Sequence, residues 1–153
     1  MGNIHDIGIE PKELIMALNV VPANIIITDV EGIIIWCNDT ACSFTGYTRG
    51  EMIGENPSIL KVEETTLETY VEMWDIIKNK KEIWNGTLKN KKKNGEIYKE
   101  ELQIIPIINK NNEVTKFIGV QKDVTELEML RKRENVKDAL SKVMQKIKEI
   151  QSH

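Results

Sequence analysis

The apolar positions near the start of the chain recur at helical spacing and predict a helix over residues 11–21. Its apolar face consists of Leu14, Ile15 and Leu18. Two short runs of β-branched residues follow at 25–29 and 33–37, and Gly32 between them allows a tight hairpin turn. The first part of the chain therefore predicts a helix followed by a β-hairpin.

The middle of the chain predicts helices. The pair Asn38-Asp39 can cap a short helix, because both side chains accept hydrogen bonds from free backbone N–H groups. Residues 48–61 contain two glycines and a proline, which favours short helical turns over one long element. A longer helix, capped by Thr65 or Thr66, is predicted to reach about residue 80, since its apolar residues recur every three or four positions.

Three strand patterns follow, at 83–92, 96–108 and 114–124. Lys93-Asn94-Gly95 joins the first two and predicts a type I′ turn, and 109–112 forms the next turn. Helices must then cover one face of a single antiparallel sheet. The predicted fold class is α+β, with a five-stranded antiparallel sheet and helices on one face.

From Thr125 onward the sequence contains no glycine or proline, and its apolar residues recur at alternating spacings of three and four. The repeating positions are Met129, Val136, Leu140, Val143, Ile147 and Ile150, with Arg133 at one position of the same stripe. A stripe this narrow is typical of a coiled-coil seam. We expect a C-terminal helix that pairs with a second copy or a partner helix. The alternative is a helix that folds back on its own domain.

Composition narrows the classes of function. The chain has 153 residues and a formal net charge of −3, so its acidic balance gives no reason to expect nucleic acid as a partner. No apolar run approaches the roughly 20 residues that span a bilayer, so no membrane association is expected. Two cysteines five positions apart do not make a disulfide framework, which favours a reducing, cytoplasmic location.

The two histidines, His5 and His153, lie near the ends of the chain. A histidine-based catalytic triad, a haem with an internal axial histidine and a buried zinc site all lose their commonest side chain. We therefore expect no haem, no metal and no enzymatic activity.

Short fragments follow one another in a definite order along residues 14–128: Ile26-Ile-Thr-Asp29, Trp36-Cys-Asn38, Phe44-Thr-Gly-Tyr47, Gly54-Glu-Asn-Pro57, Trp84-Asn-Gly86, Phe117-Ile-Gly-Val-Gln121 and Asp123-Val-Thr-Glu126. In this order and spacing they resemble the PAS domain, the sensory module of bacterial and archaeal signalling proteins. The resemblance implies a PAS fold in which 1–21 is an N-terminal cap helix, 22–125 is the PAS domain and 126–153 is a signalling helix.

Two flavin-binding subgroups of that family are most similar. Residues 117–125 resemble the last strand of light-oxygen-voltage domains, which bind flavin mononucleotide (FMN). The segments 56–74, 84–86 and 90–95 look more like the PAS domains of a nitrogen-fixation redox regulator and an aerotaxis receptor, which bind flavin adenine dinucleotide (FAD). Many PAS sensors with no known ligand share this second pattern. The resemblance implies FAD or FMN as the cofactor.

By the same resemblance, Asn56, Asn90 and Gln121 fall at flavin-contacting positions, with Gln121 facing the flavin N5. Carboxamides suit the edge of an isoalloxazine ring, because one group offers both an acceptor and donors. The alternative is that Asn56 and Asn90 are plain structural residues. Trp84 lies where the FAD-binding subgroup has a tryptophan close to the ring, and its other interpretation is a side chain that only covers the sheet.

Strand alternation adds two residues to the candidate site. Glu100, Leu102 and Ile104 share one face of their strand, and the two apolar residues mark this face as inward. Glu100 can then accept a hydrogen bond from a flavin N–H, at a position where light-oxygen-voltage domains have an asparagine. Its charge should disfavour an anionic reduced flavin. The alternative is a glutamate at the sheet edge, paired with a lysine.

Two departures from the light-oxygen-voltage pattern limit the chemistry. Pro57 stands where those domains have the cysteine that forms a photochemical adduct, and Ser58 replaces an arginine that contacts the flavin phosphate. The resemblance therefore excludes adduct photochemistry and removes one anchor for FMN. Cys37 and Cys42 lie elsewhere and are interpreted as packing residues, with redox sensing as the alternative.

Two classes of function fit the sequence. The first is a flavin-binding sensor in which reduction, or light-driven reduction, changes the hydrogen bond at Gln121 and so alters the last strand and the helix after it. Its expected partners are a second copy, paired through the N-terminal and C-terminal helices, and a signalling effector. The second is a PAS module without a ligand, or with a small metabolite, that acts in dimerisation or docking. Large side chains filling the cavity would favour this second class.

Overall fold

The structure is a computed structural model that describes residues 4–62 and 66–152. The helices are α1 (Pro11–Val20), α2 (Asp39–Thr45), α3 (Arg49–Met52), α4 (Leu67–Trp74) and α5 (Thr125–Gln151). The strands are β1 (Asn24–Asp29), β2 (Ile34–Cys37), β3 (Trp84–Lys91), β4 (Ile97–Ile108) and β5 (Val114–Asp123). Two 3₁₀ segments occupy Ile4–Ile7 and Pro57–Leu60, and a π-helical turn spans Asp75–Asn79.

The five strands form one antiparallel sheet in the order β2-β1-β5-β4-β3. The central strand, β5, pairs with β1 on one side and with β4 on the other. This arrangement confirms the predicted α+β class and the five-stranded antiparallel sheet. The chain divides into two compact units, one that ends at Asp123 and one that begins at Val124.

Strand register determines which side chains share the inward face of the sheet. Gln121 on β5 lies opposite Leu102 on β4, and Glu100 on β4 lies opposite Leu88 on β3. Leu102, Glu100 and Gln121 are buried, which confirms the inward orientation predicted from alternation. The inward face of the sheet thus presents polar side chains, Glu100 and Gln121 among them, together with apolar ones.

The three hairpin loops share one geometry, in which the residue two positions before the next strand has a positive φ: Gly32 (84°), Gly95 (88°) and Asn112 (61°). In the loop between β3 and β4, the Gly95 N–H donates to the Lys92 carbonyl at 2.9 Å. A type I′ turn needs a positive φ at both central residues, and Asn94 does not have one. The type I′ prediction is therefore wrong, because a third loop residue takes the left-handed conformation.

The helix predicted to begin at Thr65 or Thr66 and to reach about residue 80 changes its winding part-way. Thr66 caps α4, whereas Thr65 lies outside the described residues. Beyond α4, the Lys80 N–H donates to the Asp75 carbonyl at 3.0 Å, which is the wider spacing of a π turn. Ile77, within this turn, is buried in the core that packs on the sheet.

The long helix α5 begins where the sequence analysis placed it. None of its residues is buried, and Val143 and Ile147 of the predicted seam are 55% and 48% exposed. The apolar stripe is therefore present on the surface of a continuous helix, and its pairing stays a prediction. Neither α5 nor any other helix in the described part of the chain combines the length and the hydropathy needed to cross a bilayer.

Candidate functional site

A cavity of about 300 Å³ lies between the inward face of the sheet and the helical segments that follow β2. Its wall contains five of the six predicted site residues: Asn56, Asn90, Glu100, Leu102 and Gln121. Most of the remaining wall is apolar, and Tyr70, Trp74 and Phe117 contribute its aromatic rings. The fold thus brings together residues from three strands and the segment after α3.

Glu100 is the most unusual residue of the wall, because a carboxyl group with 1% of its surface exposed lies inside the sheet layer. The Asn90 carboxamide nitrogen donates to Glu100 Oε1 at 2.6 Å, while Glu100 Oε2 has no partner among the described residues. The alternative of an edge glutamate paired with a lysine is wrong. β4 is flanked by β3 and β5, so Glu100 is not at an edge, and its partner is an asparagine.

The electrostatics of this region disfavour a negative charge. Burial raises the pKa of Glu100 from its ordinary 4.5 to about 8. The Asn90 hydrogen bond acts in the opposite direction, and Asp123, directly opposite on β5, adds to the increase. Burial also raises the pKa of Tyr98, the preceding inward residue of β4, and the nearby Glu100 carboxylate adds to that shift.

Gln121 supplies a second buried acceptor. Its side chain is 5% exposed, and within the described residues its Oε1 atom has no hydrogen-bond partner. Glu100 lies diagonally across on the adjacent strand, one inward position beyond Leu102. Buried polar atoms are seldom left unpaired. Gln121 Oε1 needs an N–H or O–H donor, whereas Glu100 Oε2, which carries the proton while the carboxyl is neutral, needs an acceptor; a guest or ordered water can supply both.

Asn56 combines the two roles that the sequence left open. It caps the 3₁₀ segment, and its carboxamide oxygen accepts the Ser58 N–H at 3.0 Å. Its side chain also lines the cavity, on the helical side. The oxygen thus already accepts one hydrogen bond from the protein, and the amide nitrogen is the donor that the side chain can offer. Pro57 follows directly in the wall, at the position where light-oxygen-voltage domains have the adduct cysteine.

Trp84 is not among the residues that line the cavity. Its indole is buried and folds over Gly86, so closely that a Cβ atom on Gly86 would lie 2.2 Å from Trp84 Cη2. The aromatic surface of the cavity instead includes Trp74, whose ring packs edge-to-face on Phe117 with centroids 5.7 Å apart. Trp74 follows the helical spacing of a core residue, and spacing cannot show that this part of the core is hollow.

Lys61 is a residue of the cavity wall that the sequence pattern did not indicate. An isolated bridge pairs this residue with Asn90, and its ammonium nitrogen lies 4.3 Å from the centroid of the Tyr70 ring. Both side chains are part of the cavity wall. Lys61 therefore adds a cation to a wall whose buried end carries the Glu100 carboxyl. Nothing in the local sequence pattern marked this lysine, because the contact that places it joins segments far apart along the chain.

A family model described as "PAS domain" matches residues 22–126. The chain belongs to the PAS family. A nitrogen fixation regulatory protein of Klebsiella oxytoca is 30% identical over 99 residues, which are 65% of this chain and 20% of that protein. A blue-light photoreceptor of Listeria innocua is 39% identical over 115 residues, which are 73% of this chain and 45% of that protein. The PAS chain thus spans less than half the length of either relative.

Solved structures show the same architecture. The crystal structure of a PAS domain from a Colwellia psychrerythraea protein superimposes with a TM-score of 0.69 at 26% sequence identity. The superposition covers 75% of this chain and 97% of that one. The PAS fold predicted from the ordered fragments is therefore confirmed by a family model, by relatives and by structure.

Proposed function

We propose that this PAS module is a sensor that holds a flavin, FAD or FMN, in the cavity and relays its redox state, or its light-driven reduction, to the C-terminal helix. The observation that carries the proposal is a pair of buried groups in a largely apolar cavity: Glu100 and Gln121 each have one oxygen without a hydrogen-bond partner among the described residues. A planar heteroaromatic group whose edge carries both N–H donors and carbonyl acceptors satisfies the neutral Glu100 carboxyl and the Gln121 carboxamide while its rings meet the aromatic wall.

The volume of the cavity suits the ring system of a flavin, without the rest of a dinucleotide. Its volume of about 300 Å³ is at the lower end of the range for ligand sites, roughly 300–1,000 Å³, so a dinucleotide would extend beyond it. In the proposed complex, Leu102 and Trp74 contact the ring, and the amide nitrogen of Asn56 donates to it. Lys61 offers the positive charge for a phosphate group, in place of the arginine that Ser58 replaces.

The relay starts at Gln121. A bound flavin supplies a two-electron centre whose N5 accepts a hydrogen bond when oxidised and donates one when reduced. Gln121 meets this change by turning its carboxamide, so that its oxygen rather than its nitrogen faces the ring. Gln121 belongs to the central strand, which is hydrogen-bonded on both sides and precedes Asp123 and the helix α5. The same buried surroundings that keep Glu100 neutral disfavour a negative charge on the ring, and so favour protonation on reduction.

The output is proposed to be a change in helix pairing. The exposed stripe of α5 suits a second copy of the chain. The helix α1 carries exposed apolar residues of its own, Met16 and Val20, and is proposed as a separate pairing surface. We propose a homodimer in the cytoplasm that acts on a signalling effector. The module acts by binding and by changing shape, not by catalysis.

The test is the absorption spectrum of the purified protein before and after incubation with FAD and with FMN, followed by denaturation to release and identify any flavin. A yellow protein that releases a flavin supports the proposal. Leu102→Trp fills the cavity and should abolish flavin binding, whereas Gln103→Trp, on the exposed face of the same strand, should leave it unchanged. A folded wild-type protein that stays colourless in both incubations contradicts the proposal and leaves the ligand-free dimerisation module.

A further inference from the structure

The two cysteines of the chain lie side by side, outside the cavity wall. Cys37 is the last residue of β2 and Cys42 lies on α2, and their Sγ atoms are 3.6 Å apart. Both thiols are free in the structure. Five residues of sequence separate them, but the turn from the strand into the helix brings the sulfurs into contact. A closing movement of about 1.5 Å would bring them to disulfide bonding distance.

The two sulfurs differ in accessibility. Cys37 is fully buried in the core, and Cys42 is partly exposed. Burial raises the pKa of Cys37 to about 12, and its contact with Cys42 adds to the increase. A thiol that stays protonated is a poor first nucleophile. Cys42 is therefore the sulfur that meets an oxidant first, and Cys37 is placed to react second.

A cation accompanies the pair. The Arg49 Nε–H donates to the Cys37 carbonyl at 3.0 Å, and its positive charge acts against the increase that burial causes in the pKa of Cys37. The second half of the guanidinium is fixed by Asp39 Oδ1 at 2.5 Å. Reactive cysteines are found in such partly exposed, electropositive surroundings. Arg49 thus places a positive charge beside the two cysteines, which a cysteine pair that serves only in packing does not need.

We propose that Cys37 and Cys42 form a reversible intramolecular disulfide when the protein meets a peroxide. The Cys42 thiolate attacks one oxygen of the peroxide, the O–O bond breaks, and Cys42 becomes a sulfenic acid. The Cys37 sulfur then attacks the Cys42 sulfur, the S–O bond breaks, and water leaves with the Cys37 proton. With hydrogen peroxide, the balance is two thiols and one peroxide converted to one disulfide and two waters.

The location gives this bond a structural consequence. Asn38, between the two cysteines, donates to the Leu18 carbonyl at 2.7 Å and accepts the Ile25 N–H at 3.0 Å. These contacts hold α1 and β1 at the same junction. The disulfide therefore forms at the attachment of α1, away from the flavin-sized cavity, and its existence does not depend on the proposed function.

The test uses the full chain treated with hydrogen peroxide, then alkylated and measured by intact-mass spectrometry. The expected result is loss of two hydrogens, joint protection of both cysteines from alkylation, a monomer on non-reducing gels, and full return with dithiothreitol. Because the chain has two cysteines, no other intramolecular disulfide can give this mass. Arg49→Lys, which keeps the charge, should oxidise at a rate within a few-fold of wild type, and Arg49→Gln should oxidise several-fold more slowly.

Three results would overturn the proposal. One is conversion of Cys42 to a sulfinic acid while Cys37 remains open to alkylation. Another is a disulfide between two chains. The third is a folded protein that forms no disulfide at peroxide concentrations that fully oxidise the urea-unfolded chain. Cys42→Ser should retain a free Cys37 after treatment, and because its side chain is partly exposed, this variant should keep the fold.

Discussion

The carboxamide nitrogen of Asn90 donates a 2.6 Å hydrogen bond to one carboxylate oxygen of Glu100, across the neighbouring strands β3 and β4. The other oxygen of that buried carboxylate has no partner in the described part of the chain. One oxygen of the group is thus fixed by Asn90, and the residue as a whole forms part of the cavity wall. This arrangement makes Glu100 the most informative residue to change.

The ligand-free protein should lose stability as the pH rises between the ordinary pKa of Glu100, 4.5, and its folded value of about 8. In this interval the unfolded chain has released the proton and the folded chain has kept it, so the free energy of unfolding falls with pH. The slope is at most about 1.4 kcal/mol per pH unit. Urea unfolding at a series of pH values measures it.

Glu100→Gln should remove most of this slope, since the amide carries no titrating proton. The matched control is Glu101→Gln, on the exposed face of the same strand, which should keep the wild-type dependence. If Glu100→Gln and wild type lose stability in parallel, Glu100 is ionised in the folded protein and its environment differs from the one described here.

Gly86→Ala should destabilise the fold by about 1–3 kcal/mol, because the new methyl group meets the Trp84 indole at 2.2 Å and the ring must move. Gly119→Ala is the control, since a Cβ there has no neighbour nearer than 3.7 Å. Both glycines lie on the inward face of strands with ordinary φ values. Chemical denaturation, followed by tryptophan fluorescence, measures the free energy of unfolding of both variants. If both variants lose the same stability, the effect comes from replacing a glycine within a strand and not from contact with Trp84.

Much of this fold is readable from local patterns. Alternation in β4 predicted the inward positions of Glu100 and Leu102, and Asn38 was predicted as a cap of α2, where its side chain does accept the Ala41 N–H. Such features depend on a few adjacent residues, whose geometry the chain itself imposes. The family resemblance added the candidate positions Asn56, Asn90 and Gln121 to this local reading.

Features that depend on contacts between distant segments of the chain could not be predicted from local sequence patterns. The Lys61 bridge to Asn90 and the fold of the Trp84 ring over Gly86 are both set by tertiary packing. The change from α4 to a π turn at Asp75 likewise leaves the apolar spacing nearly intact, so periodicity does not reveal it. The sequence therefore indicated the strand faces well and the exact cavity wall only in part.

Pro57→Cys should introduce a light-dependent thiol adduct into the flavin-loaded protein. The residue is already in the cavity wall, and a cysteine there occupies the position that light-oxygen-voltage domains use. Blue illumination should then cause a reversible loss of the flavin's blue absorption band. Ser58→Cys, one residue further along the same wall, is the control and should not show the effect. Identical behaviour of the two variants would argue that the ring binds in another orientation.

Gln121→Leu should keep the flavin, with affinity lowered by about tenfold at most, but lose the response of α5 to reduction. The leucine preserves packing and removes the carboxamide that is proposed to turn. Hydrogen exchange of the α5 amides in the oxidised and reduced protein measures the response. Gln103→Leu, on the outward face of β4, should respond as wild type does. A wild-type response in Gln121→Leu would mean that the signal leaves the cavity by another strand.

Val143→Asp should convert the expected dimer to a monomer, because a carboxylate in the seam would have to be buried without a partner. Light scattering during size-exclusion chromatography measures the mass. The control is Gln145→Asp, outside the stripe on the same helix, which should remain a dimer. A wild-type protein that is monomeric at all accessible concentrations would assign the stripe to a different binding partner.

The two outer strands of the sheet limit how copies of this protein meet. β2 has four residues, and β3 carries Lys89 and Lys91 near its end. Short edge strands and edge strands that carry lysines both disfavour pairing with a strand of another chain, which is how many β-proteins avoid aggregation. Self-assembly by extension of the sheet is thereby suppressed, which leaves helix surfaces and the flat side of the sheet as the routes for regulated contact.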